Sequence, residues 1–459
     1  MKKRFQTGAR FLLLGVVLAA FGMSSAAPVR YPRTPFIEIP ELRHAVEFWR
    51  QVFAVWRQDQ VALHDNEHLN LVYEVMDLPG ATHDSLTSSQ RATVELRRKS
   101  LESRLREMER RVRARSALSK DQQRLFASVV RRAGRHAVMG ASTRLRTQRG
   151  IRERFKRGVE LSGRYDGLLR QVFREARLPE DLAYLPHLES SFVSRAHSSA
   201  GAVGIWQFMP ATGRSFLRMN RAVDERYDPV LAAHGAARYL GNAHAKLGDW
   251  GLAVTSYNHG VSGMLRAKRQ FGIDFPRIVR SYRGRSFGFS SRNFYAEFLA
   301  VRSILSRLSR YFPEGIRFDA PHDQELVELT RDLPVTRLAS MYRLSLAELS
   351  GINPAWTSSA RRGSVSLPAG TRVWLPANAA RPANAAGYAR SIVRAGRPVR
   401  HVALRGAAHG GRPDLPGKDE ARRKRLLADT PEALVRAPAA PPTSVGLPIE
   451  SSPGKANRF

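Results

Sequence analysis

The sequence contains no cysteine. Disulfides, cysteine-ligated metals and an acylated N-terminal cysteine are excluded with it, so an exported domain here has to hold together by packing alone. Beyond the first 27 residues there is no apolar run of about eighteen or more, the length a membrane-spanning helix needs. Acid is scarce beside base: 40 Asp and Glu stand against 75 Lys and Arg, a formal net charge of +35. There is no HExxH pair and no phosphate-binding loop, and His187, His197, His234, His244 and His259 are scattered rather than paired. No metal and no cofactor is expected.

So large a positive charge ordinarily points to nucleic acid. The N-terminus points elsewhere. "MKKRFQTGARFLLLGVVLAAFGMSSAA" has a basic start, an apolar run from Phe11 to Met23, and small residues Ser25 and Ala27 before a cleavage point. That is the layout of a secretory signal peptide over residues 1–27, either cleaved or kept as an anchor. An exported protein of the periplasm or cell envelope is expected, with no nucleic acid partner. Its remaining basic charge suits an anionic envelope surface.

Residues 28–162 read as an Arg-rich helical region. In "VELRRKSLESRLREMERRVRARS" the apolar Val94, Leu101, Leu105, Met108 and Val112 recur at 7, 4, 3 and 4, a stripe on one face of a charged helix. From 163 to 312 the texture turns apolar and Gly- and Tyr-containing, as in one α-helical domain; 313–325 read as a linker. Residues 326–378 read as strand, helix, strand, and 379–459, rich in Ala, Pro, Gly and Arg, as a basic disordered tail. The fold class expected is mainly α.

The stretch "AYLPHLESSFVSRAHSSAGAVGIWQFMPATG" (183–213) sets one acid, Glu189, among Tyr184, Leu185, Leu188 and Phe192. Acetal cleavage needs a carboxyl that still holds its proton near neutral pH, which apolar surroundings provide. Raising a Glu from about 4.3 to about 6 takes roughly 2 kcal/mol. Gly201 and Gly204 allow close backbone approach, Trp206 offers a sugar-stacking or a packing face, and Gln207 a neutral hydrogen-bonding group. Further on, "LAVTSYNHG" adds Tyr257 and Asn258.

These blocks resemble the catalytic domain of the lytic transglycosylases, the goose-lysozyme-like fold that cuts bacterial cell-wall glycan. The family pattern has a Glu-Ser pair, then Gly-x-Trp-Gln-x-x-Pro-x-Thr-Gly, then Ala-x-x-x-Tyr-Asn-x-Gly. Here these are Glu189-Ser190; Gly204, Trp206, Gln207, Pro210, Thr212 and Gly213; and Ala253, Tyr257, Asn258 and Gly260. The order of parts is similar to that of the membrane-bound lytic murein transglycosylase D group. Residues 326–378 resemble a degenerate LysM unit, the βααβ module that binds N-acetylglucosamine-containing glycan; its usual Gly-Asp-Thr is missing.

The resemblance implies a lysozyme-like helical domain acting on peptidoglycan glycan strands. One Glu protonates the bond between N-acetylmuramic acid and N-acetylglucosamine. The same carboxylate then draws the proton from the muramyl six-hydroxyl, closing a 1,6-anhydro ring. Glu189 takes that role, with Ser190, Gly204, Trp206, Gln207, Tyr257, Asn258 and Tyr295 as substrate-binding residues. Between Tyr184 and Tyr257 the other acids are Asp224, Glu225, Asp228 and Asp249, none of them in the blocks, so a one-carboxylate site is expected. Asp228-Pro229 reads instead as a helix start.

There are two departures. In "SSRNFYAEFLA" the tyrosine of a fourth family block is replaced by Phe294, with Tyr295 one place, or about 100° of helix, later. His259 stands where a small residue is commoner, as a sugar contact or a surface residue. A muramidase of the goose-lysozyme type and a non-catalytic wall-binding protein remain open as other readings.

Overall fold

The computed structural model describes residues 34–377, 379 and 387–393. The signal-peptide segment and residues 394–459 of the expected tail lie outside them. Among the described residues no helix is long and apolar enough to cross a membrane.

The N-terminal region is not purely helical. After α1 (Arg43–Ala54), strands β1 (Gln60–Asp65) and β2 (Val72–Asp77) form an antiparallel pair, and β3 (Leu145–Arg149) closes the sheet in the order β2-β1-β3. Helices α2 (Ser88–Arg113) and α3 (Lys120–Ala133) lie between, each opened by a capping box, Thr87 with Gln90 and Ser119 with Gln122. The expectation of helix throughout is corrected here. These strands are five or six residues long, and "QVALHD" is buried almost end to end, so it lacks the polar-apolar alternation that marks a half-exposed strand. The stripe on α2 packs within the chain: Leu101, Leu105 and Met108 share a core with Leu63 of β1 and Leu145 of β3.

The central helical region follows as α4 (Arg152–Ser162), α5 (Asp166–Glu175), α6 (Leu185–Glu189), α7 (Pro210–Phe216), α8 (Pro229–Leu247), α9 (Trp250–His259), α10 (Val261–Phe271), α11 (Phe275–Ser281), α12 (Phe289–Leu305) and α13 (Leu308–Tyr311). Ala- and Gly-rich α8 and mostly apolar α9 and α12 are buried nearly all round, as a central helix of a globular domain must be. The hydrophobic core crosses the boundary expected near residue 163. Phe36, Val46, Trp49, Val52 and Phe53 join Phe155, Phe173 and Phe298 in one cluster, because α1 lies against α12. Asp228 caps α8, accepting from the Val230 and Leu231 amides at 2.9 Å, as its place before Pro229 suggested.

The segment read as a linker runs along α4, with the Asp319 and His322 amides donating to the Glu160 and Arg164 carbonyls. The C-terminal unit begins at β4 (Gln324–Leu329) and continues through β5 (Leu333–Pro334), α14 (Val335–Tyr342), α15 (Leu346–Ile352), β6 (Ser366–Leu367) and β7 (Arg372–Pro376). With the short β5–β6 pair and the one-turn helix α16 (Ser358–Arg361) set aside, this is a β-α-α-β order. Residues 389–393, expected to be disordered tail, form β8 (Ala389–Val393) on the other side of β4, in the sheet order β7-β4-β8. Five extended residues satisfy an otherwise open sheet edge, and so short a strand leaves no mark in Ala- and Arg-rich composition.

This unit is fastened to the central helical region by polar contacts. The Trp374 indole N–H donates to Asp228 at 2.6 Å, on the side chain that caps α8. Arg372 pairs with buried Glu225 at 3.2 Å, and the Thr357 hydroxyl donates to the Arg221 carbonyl at 2.7 Å. Trp374→Phe keeps an aromatic ring but removes the pyrrole half of the indole with its N–H. We expect a loss of about 1–3 kcal/mol in urea denaturation, with both regions still unfolding in one transition. An unchanged midpoint would show that the Asp228 carboxylate needs no partner there.

Candidate active site

Glu189 is the last residue of α6 and only 1% exposed. Immediately after it the chain reverses through two left-handed residues, Ser191 (φ 51°) and Phe192 (φ 59°). Neither is glycine, and such positions cost of order 1–3 kcal/mol each, so tertiary packing must hold the turn. Phe192 is buried against His187 at 4.6 Å between ring centres. The effect is to end α6 with the carboxyl inside.

Burial pushes the Glu189 carboxyl up to about 8, with the nearby Glu297 carboxylate as a further cause in the same direction. Its Oε1 has no hydrogen-bond partner among the described residues. His187, two residues back, is pushed down to about 3 by burial and by Arg170, so it stays neutral at physiological pH. Arg170 is itself committed, to Asp166 at 2.9 Å and to the Tyr184 hydroxyl at 2.6 Å. Glu189 is therefore a dry, protonated acid at neutral pH.

Two hydrogen bonds bring the sequence blocks together. The Ser190 hydroxyl donates to the Ile205 carbonyl at 3.0 Å, and the Tyr257 hydroxyl donates to the Trp206 carbonyl at 2.9 Å. The loop 204–207 is thus tied to the residue after Glu189 and to the end of α9. Tyr257 feels the Glu189 charge, and with burial this holds its phenol well above its ordinary value. Gln207 is buried with φ 49°; its amide donates to the Gly204 carbonyl at 2.8 Å and its Oε1 has no partner among the described residues. Asn258 accepts from Ser291 of α12 at 2.7 Å.

Other expected roles change. Trp206 is fully buried, its indole N–H donating to the Pro229 carbonyl at 2.9 Å, so it has no face free for a sugar. Gly204, at φ 76°, is required by the chain itself, since a Cβ would collide with the Arg226 carbonyl. Ser190 holds a loop carbonyl. Tyr295 packs at 5.2 Å from Phe275 and 6.2 Å from Phe298, and the charges it senses are Asp249 and Arg302. The structure does not bring it to Glu189. His259 is not at the surface: it is buried against Phe287 at 5.0 Å and pushed down to about 4, mainly by burial.

Two residues went unread. Glu297, on α12, is 5% exposed and pushed by burial up to about 8, and it lies within electrostatic reach of Glu189. Ser291, also on α12, fixes Asn258. Glu297 carries the same signal as Glu189, one acid in an apolar helix, but it lies forty residues beyond Tyr257, outside the stretch that holds the three blocks. A cleft of about 390 Å³ lined by Arg214, Arg218, Arg238 and Arg372 lies beside the C-terminal unit, and neither Glu189, Gln207 nor Tyr257 lines it.

A mainly α-helical domain with one acid at a helix end, facing a Gly-Trp-Gln loop and a Tyr-Asn pair, defines the class. Residues 173–274 match the transglycosylase SLT domain. The chain is a homologue of membrane-bound lytic murein transglycosylase D of Escherichia coli (strain K12), 29% identical over 192 residues, or 39% of this chain and 40% of that protein. It is also similar to membrane-bound lytic murein transglycosylase F 2 of Alkalilimnicola ehrlichii, 34% identical over 122 residues, 25% of this chain and 26% of that one. The chain thus spans well under half the length of these relatives. The solved lytic transglycosylase Slt of Pseudomonas aeruginosa aligns at 20% identity and a TM-score of 0.22 over 33% of this chain and 25% of its own, too loosely to carry an argument.

The raised carboxyl has a consequence for stability. Between about 4.5, its ordinary value, and about 8, the folded chain keeps a proton that the unfolded chain has released. Stability therefore falls as pH rises across that window. Glu189→Gln removes this dependence. The melting temperature of the variant is expected to rise relative to wild type by several degrees from about pH 5 to about pH 8. Parallel curves in differential scanning calorimetry would mean that Glu189 titrates normally.

Proposed function

We propose that this chain is a peptidoglycan lytic transglycosylase that cleaves the β-1,4 bond between N-acetylmuramic acid and N-acetylglucosamine and leaves 1,6-anhydro ends. The observation that carries the reading is the dry, protonated Glu189 carboxyl beside a loop and helix end that match the SLT domain. Protonated at neutral pH, it gives its proton to the glycosidic oxygen as the bond breaks. The carboxylate left behind has no cation among its described neighbours and is correspondingly basic. It draws the proton from the muramyl six-hydroxyl, which attacks the anomeric carbon in place of water. The substrate's N-acetyl group stabilises the positive centre between the two steps, while Gln207, Tyr257 and Asn258 supply polar groups at the rim.

The remaining parts fit an envelope location. The β-α-α-β order of the C-terminal unit supports a LysM-like module, which would bind the same glycan. The basic charge concentrates an exported protein on anionic envelope surfaces. One observation favours a second reading, a hydrolase of the goose-lysozyme kind: Glu297 is a second carboxyl near the first. Water needs a base already ionised near neutral pH, and burial holds Glu297 protonated instead.

The test is mass spectrometry of murein digested by the purified chain. Anhydro ends, lighter by one water than reducing ends, are expected, and Glu189→Gln should cut the rate by about 10²–10⁴-fold. Reducing ends alone would establish the hydrolase. Unchanged release by Glu189→Gln would place the chemistry elsewhere.

A further inference from the structure

We infer that the arginine-lined cleft beside the C-terminal unit is a second binding site, not lined by Glu189, that takes the phosphate group of a small phosphorylated ligand. Its cations come from three parts of the chain: Arg214 on α7 with Arg218 just beyond it, Arg238 on α8, and Arg372 on β7. Four guanidiniums brought to one space of about 390 Å³ face two carboxylates there, Glu225 and Glu328. Both carboxylates are committed. Glu328 pairs at 2.9 Å with Arg390, which does not line the cleft. Glu225 takes Arg372 at 3.2 Å and also accepts from the Arg218 amide at 2.8 Å. Among the described residues, the guanidiniums of Arg214, Arg218 and Arg238 are left without a carboxylate.

Backbone holds them in place instead. Arg218 donates to the Ala369 carbonyl at 2.9 Å, and Gly370, at φ 74°, makes room for that guanidinium, since a Cβ would stand 2.8 Å from Arg218 Nη2. Arg238 donates to the Phe216 carbonyl. A carbonyl positions a guanidinium without cancelling its charge, and leaves most donors of the fork for a ligand. Arg214 has neither hydrogen bond nor ion pair among the described residues. Such crowding is unfavourable by itself: burial first and Arg372 second lower the proton affinity of Arg238, and Glu225 offsets only part of this. An anion among these side chains removes the repulsion.

Charge and shape set the class of ligand. A carboxylate brings one negative charge and two oxygens, enough for a single fork. A phosphate monoester brings about −1.5 to −2 and three acceptor oxygens, which serve several guanidiniums at once. Room for the rest of the ligand adjoins the cleft. Arg238 and Arg372 also line a second cavity of about 400 Å³, with Val172, Ala176 and His234 on its walls. His234 is pushed down to about 4, mainly by burial, and stays neutral; the acid there, Glu175, accepts from Gln171 at 2.8 Å. A phosphate held between the arginines leaves an uncharged or apolar body beside Val172 and Ala176. A soluble phosphate monoester and a lipid headgroup share this chemistry.

The experiment titrates phenyl phosphate into the full chain by isothermal titration calorimetry at constant ionic strength, and needs no murein. Saturable one-to-one binding is expected, with benzoate, the carboxylate on the same ring, at least about tenfold weaker. Arg214→Gln, at an exposed position of α7, should weaken phenyl phosphate by about 10–100-fold. Arg104→Gln, at an exposed position of α2, removes the same charge outside the cleft and should leave binding unchanged. Vesicles containing phosphatidic acid tell the sources apart. A lipid headgroup is the ligand if vesicle binding falls in Arg214→Gln and not in Arg104→Gln; a soluble one is if both variants bind vesicles like wild type while Arg214→Gln alone loses phenyl phosphate. Benzoate binding as tightly as phenyl phosphate overturns the inference, and so do equal losses in the two variants. So does a failure to bind phenyl phosphate joined to vesicle binding that Arg214→Gln leaves intact.

Discussion

The site depends on one buried carboxyl that is given no cation. A carboxylate in a dry interior ordinarily recruits an Arg or Lys, which would lower its proton affinity and make it useless as an acid near neutral pH. In this structure the guanidinium acting on its neighbour His187, that of Arg170, is consumed by Asp166 and the Tyr184 hydroxyl and lies over the Tyr184 ring at 4.8 Å. His187 is buried too deeply to charge. So strongly basic a chain keeping its cations off this one acid is the main electrostatic feature of the fold. Two strained residues, Ser191 and Phe192, are tolerated to end the helix at that point.

The rest of the molecule bears on the loop that faces this acid. Gly204 lies against the Arg226 carbonyl, Trp206 bonds to the Pro229 carbonyl, and Tyr257 bonds to the Trp206 carbonyl. Residues 226–229 lead into α8, whose capping carboxylate, Asp228, also receives the indole of Trp374 from the C-terminal unit. Buried Glu225 does the same for Arg372. The C-terminal unit is thus bonded to the segment that supports the Gly-Trp-Gln loop. At the other end, α1 supports α12 and through it Ser291 and Glu297. Both flanking regions pack against the elements that carry the site, and residues 36–53, expected in an N-terminal extension, share its hydrophobic core.

The parts of the site legible in sequence were those written locally. Glu189 in its apolar setting, the Trp206-Gln207 pair and Tyr257-Asn258 each announce themselves within ten residues, and bonds from Ser190 and Tyr257 to the 205–206 carbonyls tie their segments together. Burial was not legible. An aromatic beside glycines reads as a sugar platform, yet Trp206 faces inward, and Gly204 makes room for the chain's own backbone rather than a ligand. Glu297 was missed because it comes from a helix far along the chain, and only the contact of α12 with α6 makes it a neighbour. The short strands were hidden for a related reason: β1 is buried on both faces, and β8 is recognisable only through the edge it completes.

Dryness also bears on which nucleophile ends the proposed reaction. A site open to water would let the cleaved sugar be captured from solution, and an ionised second carboxylate would speed that capture. Here the second carboxyl is itself desolvated and keeps its proton, so it contributes no base toward water. The base available is the carboxylate of Glu189 after it has acted as acid, and it is hidden from bulk solvent. A hydroxyl already carried by the bound sugar reaches such a base without any water having to enter. In the proposed reaction, a shielded acid that lets go of its proton only to the substrate would favour ring closure over hydrolysis.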